Sequence, residues 1–259
     1  MSASTAASAT KAVVDCGRRR SRGSARRRRE REEGMSDLSP EWGTLDLGAP
    51  MNQHGILSHA SAAKTPPIGG FFLTEADGRH VEALIEEACG TDDTLREHSL
   101  NVAATAVLVG TSLGLKGREL EVLELAATVH DVGKLHVRPD ILAKPGPLDA
   151  DEWQEMRLHP ARGAELLAGH VPADVLEIVR SHHERWDGSG YPDGLAGDAI
   201  PLGARIIAVV DAFCAMLESR PYRPATRRAE ARAELLAQAG RQFDADCARA
   251  AYRVTAGAA

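Results

Sequence analysis

The residues best suited to chemistry in this 259-residue chain are histidines and aspartates gathered in its middle. Adjacent His130 and Asp131 stand where an apolar stretch runs into Gly133 and Lys134, and His182 and His183 open the run HHERWDGSGYPDGL. With His98 and His159 these make five of the ten histidines, and Asp211 interrupts the otherwise apolar run IIAVVDAFCAM. Imidazole and carboxylate donors without thiolate suit octahedral iron, manganese or similar ions better than a structural zinc. Two divalent ions roughly 3.5 to 4 Å apart can share a hydroxide and hold a phosphate oxygen between them, which calls for a bridging carboxylate. Asp131 is the natural bridge, because its two oxygens can reach different ions while His130 binds one of them. Neighbours on a regular helix diverge by about 100°, so the pair works best at a frayed helix end, which Gly133 supplies. The chemistry implied is that of a metal-dependent phosphohydrolase.

Each residue also has a plainer role to be weighed. A histidine taken singly is more often a satisfied polar residue than a ligand, and it is the conjunction of five with two aspartates that favours ligation. Asp211, buried alone among apolar neighbours, would cost several kcal/mol or shift its pKa; it must bind metal or pair with a cation such as Arg205. Lys134 is either a phosphate contact or a lysine favourably placed at a helix C-terminus.

The elements that must position these residues read as helices. Thr74, Glu75 and Asp77 open one whose apolar positions Val81, Leu84, Ile85 and Ala88 recur at helical spacing, and Gly90 ends it. A second begins near Asp92 or Asp93 and runs through His98 to Val109, with a break at Gly110 or Gly114. Leu120 to Val129 form a third, with His130 and Asp131 at its end. The stretch HVRPDILAKPGPLDADEW reads as a loop, after which Asp149 or Asp151 caps a helix through Met156 to His159. Further helices are expected at Pro160 to Ala168, Ala173 to His182, Pro201 to Leu217 and from about Arg227 onward. No strand pattern and no internal repeat appears, and with aromatic residues at only 4% the abundant Ala and Leu favour close-packed helices.

The net charge of −6 conceals a basic start, with Lys11, Arg18 to Arg20, Arg22 and Arg26 to Arg29 leaving the rest more acidic. That run is expected to be a disordered leader; binding of RNA or anionic lipid is the competing role. A start of translation at Met35, which opens the less biased MSDLSPEWG, is an alternative to a functional arm. Residues 1 to 75 are therefore read as leader and linker, and 76 to 259 as the catalytic domain. Cys16, Cys89, Cys214 and Cys247 have no paired spacing, which argues against a disulfide framework and for the reducing cytoplasm. Leu100 to Leu115 is shorter than the roughly 20 residues a membrane span needs, so no transmembrane segment is expected. By charge the body is not a nucleic-acid binder.

On these residues the chain resembles the HD-GYP family of the HD-domain metal-dependent phosphohydrolases. The matching text is LAATVHDVGKLHVRPDILAKPGPLDADEWQEMRLHPARGAELL and HHERWDGSGYPDGLAGDAIPLGARIIAVVDAFCAMLESRPYR, with the upstream histidine in REHSL, covering about Asp92 to Phe243. The resemblance implies an all-α, HD-type helical bundle that binds two or three iron or manganese ions. It implies hydrolysis of cyclic di-GMP to the linear dinucleotide or GMP by a metal-bridging hydroxide. It places His98, His130, Asp131 and Asp211 on one ion, and Asp131, His159, His182 and His183 on the other. Asp131 and Lys134 become catalytic residues, with Lys134 at the scissile phosphate. Gly190, Tyr191 and Pro192 match the GYP signature, whose loop lines the substrate pocket or docks a signalling partner. Arg220 and Arg223 in SRPYR fit basic positions used on phosphate or guanine. A homodimer is a further expectation.

Two departures matter. Many members carry aspartate where DAFCA has Cys214, which weakens the expected nucleotide contact, since a thiol is a weak hydrogen-bond partner. Members with a third metal use a glutamate one helical turn before the first histidine, where this chain has Thr94, so a binuclear site is expected. Glu97 is nearer but points elsewhere on the helix. The alternatives are an HD phosphohydrolase for another nucleotide or phosphoester, and a nucleotide-signalling module without turnover. Deleting residues 1 to 34 is expected to leave the melting temperature and activity intact, and a large drop on thermal melting would show that the leader packs on the domain.

Overall fold

The computed structural model describes residues 73–90, 93–219 and 225–256. The arginine-rich run, Met35 and nearly all of the expected leader lie outside the described residues, as do Arg220 and Arg223. Among the described residues the chain forms ten α-helices and two short 3-10 turns, with one isolated bridge pair and no strand. None of these helices is long and apolar enough to cross a membrane.

Helix α1 (Glu75–Cys89) starts where Thr74 accepts a hydrogen bond from the Asp77 amide at 3.1 Å, and it buries Val81 and Ile85. Helix α2 (Asp93–Ser112) does not break at Gly110. A Cβ there would lie 2.7 Å from Leu123 Cδ2, so the bare backbone instead lets the next helix approach closely. That helix, α3 (Arg118–Val129), packs along α2 and buries Val122, Leu123, Leu125, Ala126, Ala127 and Val129.

The Pro-rich stretch expected as loop contains a one-turn helix, α4 (Pro139–Leu142), with proline at the first position, where its missing N–H costs nothing. Helix α5 (Ala150–Met156) has the expected cap: Asp149 accepts from the Glu152 amide, and the Glu152 carboxylate accepts from the Asp149 amide. Helices α6 (His159–Leu167), α7 (Ala173–Ser181) and α8 (Leu202–Leu217) follow within a residue or two of expectation. The C-terminal segment divides into α9 (Arg228–Ala237) and α10 (Ala245–Val254), because the chain turns at Gly240 and Asp244 caps a new start.

Helix α8 is the axis of the bundle. It packs against α2, α7, α9 and α10 and buries Ala204, Ile206, Ile207, Val209, Val210 and Phe213. Ala231, Ala248, Ala250 and Ala251 face this core from α9 and α10, so small side chains rather than aromatic ones set the close helix spacing.

The turn that carries the HDxGK segment is placed by a backbone contact. Helix α3 already ends at Val129, so Gly133 is not its terminator; it lies inside the 3-10 turn Val132–His136. A Cβ on Gly133 would fall 2.0 Å from the His159 carbonyl oxygen and 2.5 Å from the Gly163 amide nitrogen. The turn therefore rests directly on the first turns of α6, which brings Asp131 and His159 side by side. Gly133→Ala should force these backbones apart and cost about 1 to 3 kcal/mol or more, read as a lower denaturant midpoint. Gly110→Ala, which meets only the flexible ends of Leu123, Leu120 and Leu115, should cost less; equal midpoints would show that the α6 contact is not limiting.

Candidate metal centre

The ends of helices converge on one cluster. His98 comes from the second turn of α2, His130 caps α3, Asp131 leads into the 3-10 turn, His159 begins α6, His182 caps α7 with His183 next to it, and Asp211 lies on α8. The donor atoms of Asp131, His159, His182 and His183 all lie within 4.8 Å of one another, and so do those of His98, His130 and Asp131. Asp131 is common to both groups. Its Oδ1 is 3.3 Å from His159 Nε2, and its Oδ2 is 3.4 Å from His130 Nε2 and 2.5 Å from Lys134 Nζ. The two oxygens thus face different donor groups. Asp211 joins through His98, whose Nε2 is 3.0 Å from Asp211 Oδ1.

The neighbours of these ligands set their orientation. His130, His159 and His182 each turn Nδ1 to the carbonyl oxygen three residues earlier, Ala127 at 2.7 Å, Met156 at 2.8 Å and Val179 at 2.6 Å. Nδ1–H donates to that oxygen, which leaves Nε2 as a lone-pair donor aimed into the cluster. His98 is held from α8, with Nδ1 2.6 Å from Glu218 Oε1. The second role considered for Asp211 is ruled out: Arg205 bonds Asp244 at 2.8 Å and Asp198 at 3.1 Å, on another side of α8.

The electrostatics prepare metal-binding forms at the carboxylates, His182 and His183. Against their burial, by contrast, Asp211 and Glu218 raise His98 to about 10 and Asp131 raises His130, so a bound cation would have to displace a proton from each of these two. Burial pushes the Asp131 carboxyl up, but Lys134 and His130 outweigh it and hold the group well below the usual carboxylate range. Asp211 is likewise held down by His98 and His130 against its burial. Burial and the surrounding imidazoles push His182 well below the ordinary histidine value, and burial with His159 takes His183 to about 3. Ionised carboxylates and neutral imidazoles are the forms that bind cations. The fit to metal rests on a further observation: His130 Nε2 is fully buried and has no hydrogen-bond partner among the described residues, a cost that a coordinated cation would remove. Donors of nitrogen and oxygen in two groups sharing one carboxylate suit a pair of divalent ions.

The GYP loop closes over one side. A Cβ on Gly190 would lie 2.4 Å from the Arg185 amide nitrogen and 2.5 Å from Glu184 Cα, so only glycine lets the loop return against the strip that carries His183. The Tyr191 ring then stacks on His183 with centroids 4.9 Å apart, and the Tyr191–Pro192 peptide bond is cis. Glu184 and Glu218 are the residues that sequence reasoning missed. Glu184, nearly fully buried, accepts from the amides of Asp193 at 2.7 Å and Gly194 at 3.0 Å and so ties the loop to the ligand pair. Its signal was adjacency to HisHis; that of Glu218 was its spacing of seven from Asp211, two turns along one helix face.

One expectation needs correction. Cys214 does not face open solvent where a nucleotide would lie. It is 3% exposed, packs in the core, and bonds Thr105, with burial and the charges of Asp211 and Glu218 pushing its thiol up. An aspartate there would be a buried third carboxylate beside those two, so Cys214→Asp gives no reason to expect a tighter nucleotide contact. Thr94 and Glu97 are both exposed and belong to neither donor group.

A family model described as HD domain matches residues 80–247, a span that holds all seven candidate ligands. The chain is 44% identical over 191 residues to a cyclic di-GMP phosphodiesterase response regulator, RpfG, of Xanthomonas campestris, a match covering 70% of this chain and 50% of that protein. It is 40% identical over 150 residues to 3'3'-cGAMP-specific phosphodiesterase 2 of Vibrio cholerae, covering 57% of this chain and 29% of that one. The chain thus spans half or less of the length of these relatives. In fold it is similar to an HDGYP protein from Bdellovibrio bacteriovorus, with TM-score 0.55 and 20% identity over 71% of this chain and 62% of that one.

Asp131→Ala is expected to strip both ions, whereas His159→Ala should strip only the one held with His182 and His183. Metal analysis of the purified variants tests this, and near-normal metal content in Asp131→Ala would sink the bridging role. Glu218→Gln should weaken metal affinity about 10- to 100-fold through a loosened His98.

Proposed function

The chain belongs to the HD domain family, on its HD-GYP branch, and we propose that it is a phosphodiesterase hydrolysing cyclic di-GMP to the linear dinucleotide or GMP. The observation that carries this reading is the carboxylate of Asp131 facing two donor groups at once. His98, His130, Asp131 and Asp211 would hold one ion, and Asp131, His159, His182 and His183 the other, with iron or manganese best suited to the donors. When bound, two such ions supply Lewis-acid stabilisation of a phosphoryl oxygen and acidify water.

The protein's own part is orientation and charge. Carbonyl-anchored imidazoles and the Glu218 carboxylate keep the donors from rotating. Lys134 sits on the shared carboxylate and so stands beside any phosphate drawn to it, where its ammonium would stabilise charge developing on the phosphoryl group. The Tyr191 ring, stacked on His183, forms a wall against which a substrate can be steered, with Gly190 permitting the loop's close return. Arg220 and Arg223 are the further substrate contacts in this reading. The similarity to a 3'3'-cGAMP-specific enzyme favours a mixed cyclic dinucleotide as the second substrate to test.

Anaerobic purification, metal analysis and assays on cyclic di-GMP and 3'3'-cGAMP with one sample test the proposal. Lys134→Ala should keep its metal and lose about 10²-fold in turnover; loss of metal would make Lys134 part of the ligand scaffold instead. Metal-loaded protein that binds cyclic di-GMP without turnover would replace the enzyme with a signalling module.

A further inference from the structure

We propose that Arg157, at the junction of α5 and α6, is a specificity-determining residue that binds the second, uncleaved phosphodiester of a cyclic dinucleotide. The inference rests on the cyclic dinucleotide reading of the preceding subsection. Arg157 follows the last residue of α5 and precedes the metal-ligand candidate His159 by two positions. Its guanidinium lies over the Tyr191 ring, Cζ 5.5 Å from the centroid, and that ring stacks in turn on His183. A cation is thereby held two ring contacts away from a metal ligand, on the side closed by the GYP loop.

What distinguishes this arginine is that its charge is not otherwise engaged. Around it, Arg138 bonds Glu155 through Nε at 3.1 Å, Arg162 donates to the His136 carbonyl at 2.5 Å, Arg180 forks onto Asp193 at 2.7 and 2.8 Å, and Arg185 donates to Ser189 at 2.8 Å. Among the described residues no carboxylate lies within ion-pair distance of Arg157. A guanidinium held over an aromatic ring by cation–π attraction keeps N–H groups available, and its fork suits the two oxygens of a phosphate.

Space is present at the same place. His136, Asp151, Arg157, Leu158 and Arg162 line an open groove of about 700 Å³, whose two arginines stand against the exposed Asp151 carboxylate. The carboxylate of Glu155 also borders it but is engaged by Arg138, through the side chain and through the Arg138 amide at 2.8 Å. A cyclic dinucleotide carries two phosphodiesters across one ring. With one at the shared carboxylate and its ions, the other needs a cation displaced from the centre, and Arg157 is such a cation.

The test compares two substrates on the manganese-loaded full chain: cyclic di-GMP, with two phosphodiesters, and bis(p-nitrophenyl) phosphate, with one. Arg157→Ala should raise KM for cyclic di-GMP about 10- to 100-fold with little change in kcat, so that the ratio of kcat/KM between the two substrates falls by the same factor. Arg157→Lys should recover part of the loss. An unchanged KM for cyclic di-GMP in Arg157→Ala, or a parallel loss on both substrates, would overturn the assignment while leaving the proposed function standing. Wild-type protein that cleaves the small diester but no cyclic dinucleotide would overturn the proposed substrate, and this inference with it.

Discussion

The structure depends on one constraint: a carboxylate, Asp131, is drawn out of water and set between imidazoles from four helix ends. An ionised carboxylate in such a place is tolerated only when cations or donors compensate it. Lys134 does so at 2.5 Å, and metal ions held at the Nε2 atoms of His130 and His159, 3.4 and 3.3 Å from the same carboxylate, would complete the compensation. The rest of the bundle follows from holding this arrangement. The backbone contact of Gly133 with α6 fixes the distance from Asp131 to His159, the close packing of α2 on α3 fixes His98 relative to His130, and α8 supplies both Asp211 and Glu218 from one face.

A second layer of interactions makes the cluster rigid. The carbonyls of Ala127, Met156 and Val179 determine which nitrogen of three histidines faces inward. Each lies three residues before its ligand, in the same helix for Ala127 and Val179 and at the end of the preceding one for Met156, so orientation is built in locally and does not wait on distant contacts. The GYP loop is linked less locally: Glu184 holds its backbone, Arg180 clamps Asp193, and Tyr191 leans on His183. Any displacement of that loop would therefore be felt at a ligand.

Much of this was legible in the sequence because the signals were of the kind that sequence carries. Helical periodicity located α1, α3, α7 and α8, and the Asp149 cap was visible as a residue type in the right place. The ligand set was legible as residue types whose burial makes sense only in company. What escaped was whatever depends on proximity across the fold. Gly110 and Gly133 looked like helix breakers, yet each marks a place where two backbones or a backbone and a leucine meet. Arg205 was a reasonable partner for Asp211 until α10 supplied Asp244. Cys214 stood one turn from a ligand, and periodicity alone could not say whether that turn faced the ligands or the core.

The placement of His130 and His182 at helix C-caps has a further consequence. Peptide dipoles in α3 and α7 add up to a partial negative charge at those ends, and both ends point at the same small volume. The convergence draws positive charge in before any side chain is counted. Because such a field acts on every divalent cation alike, discrimination between metals in this protein falls to the number and spacing of its nitrogen and oxygen donors, and to the supply of ions around it.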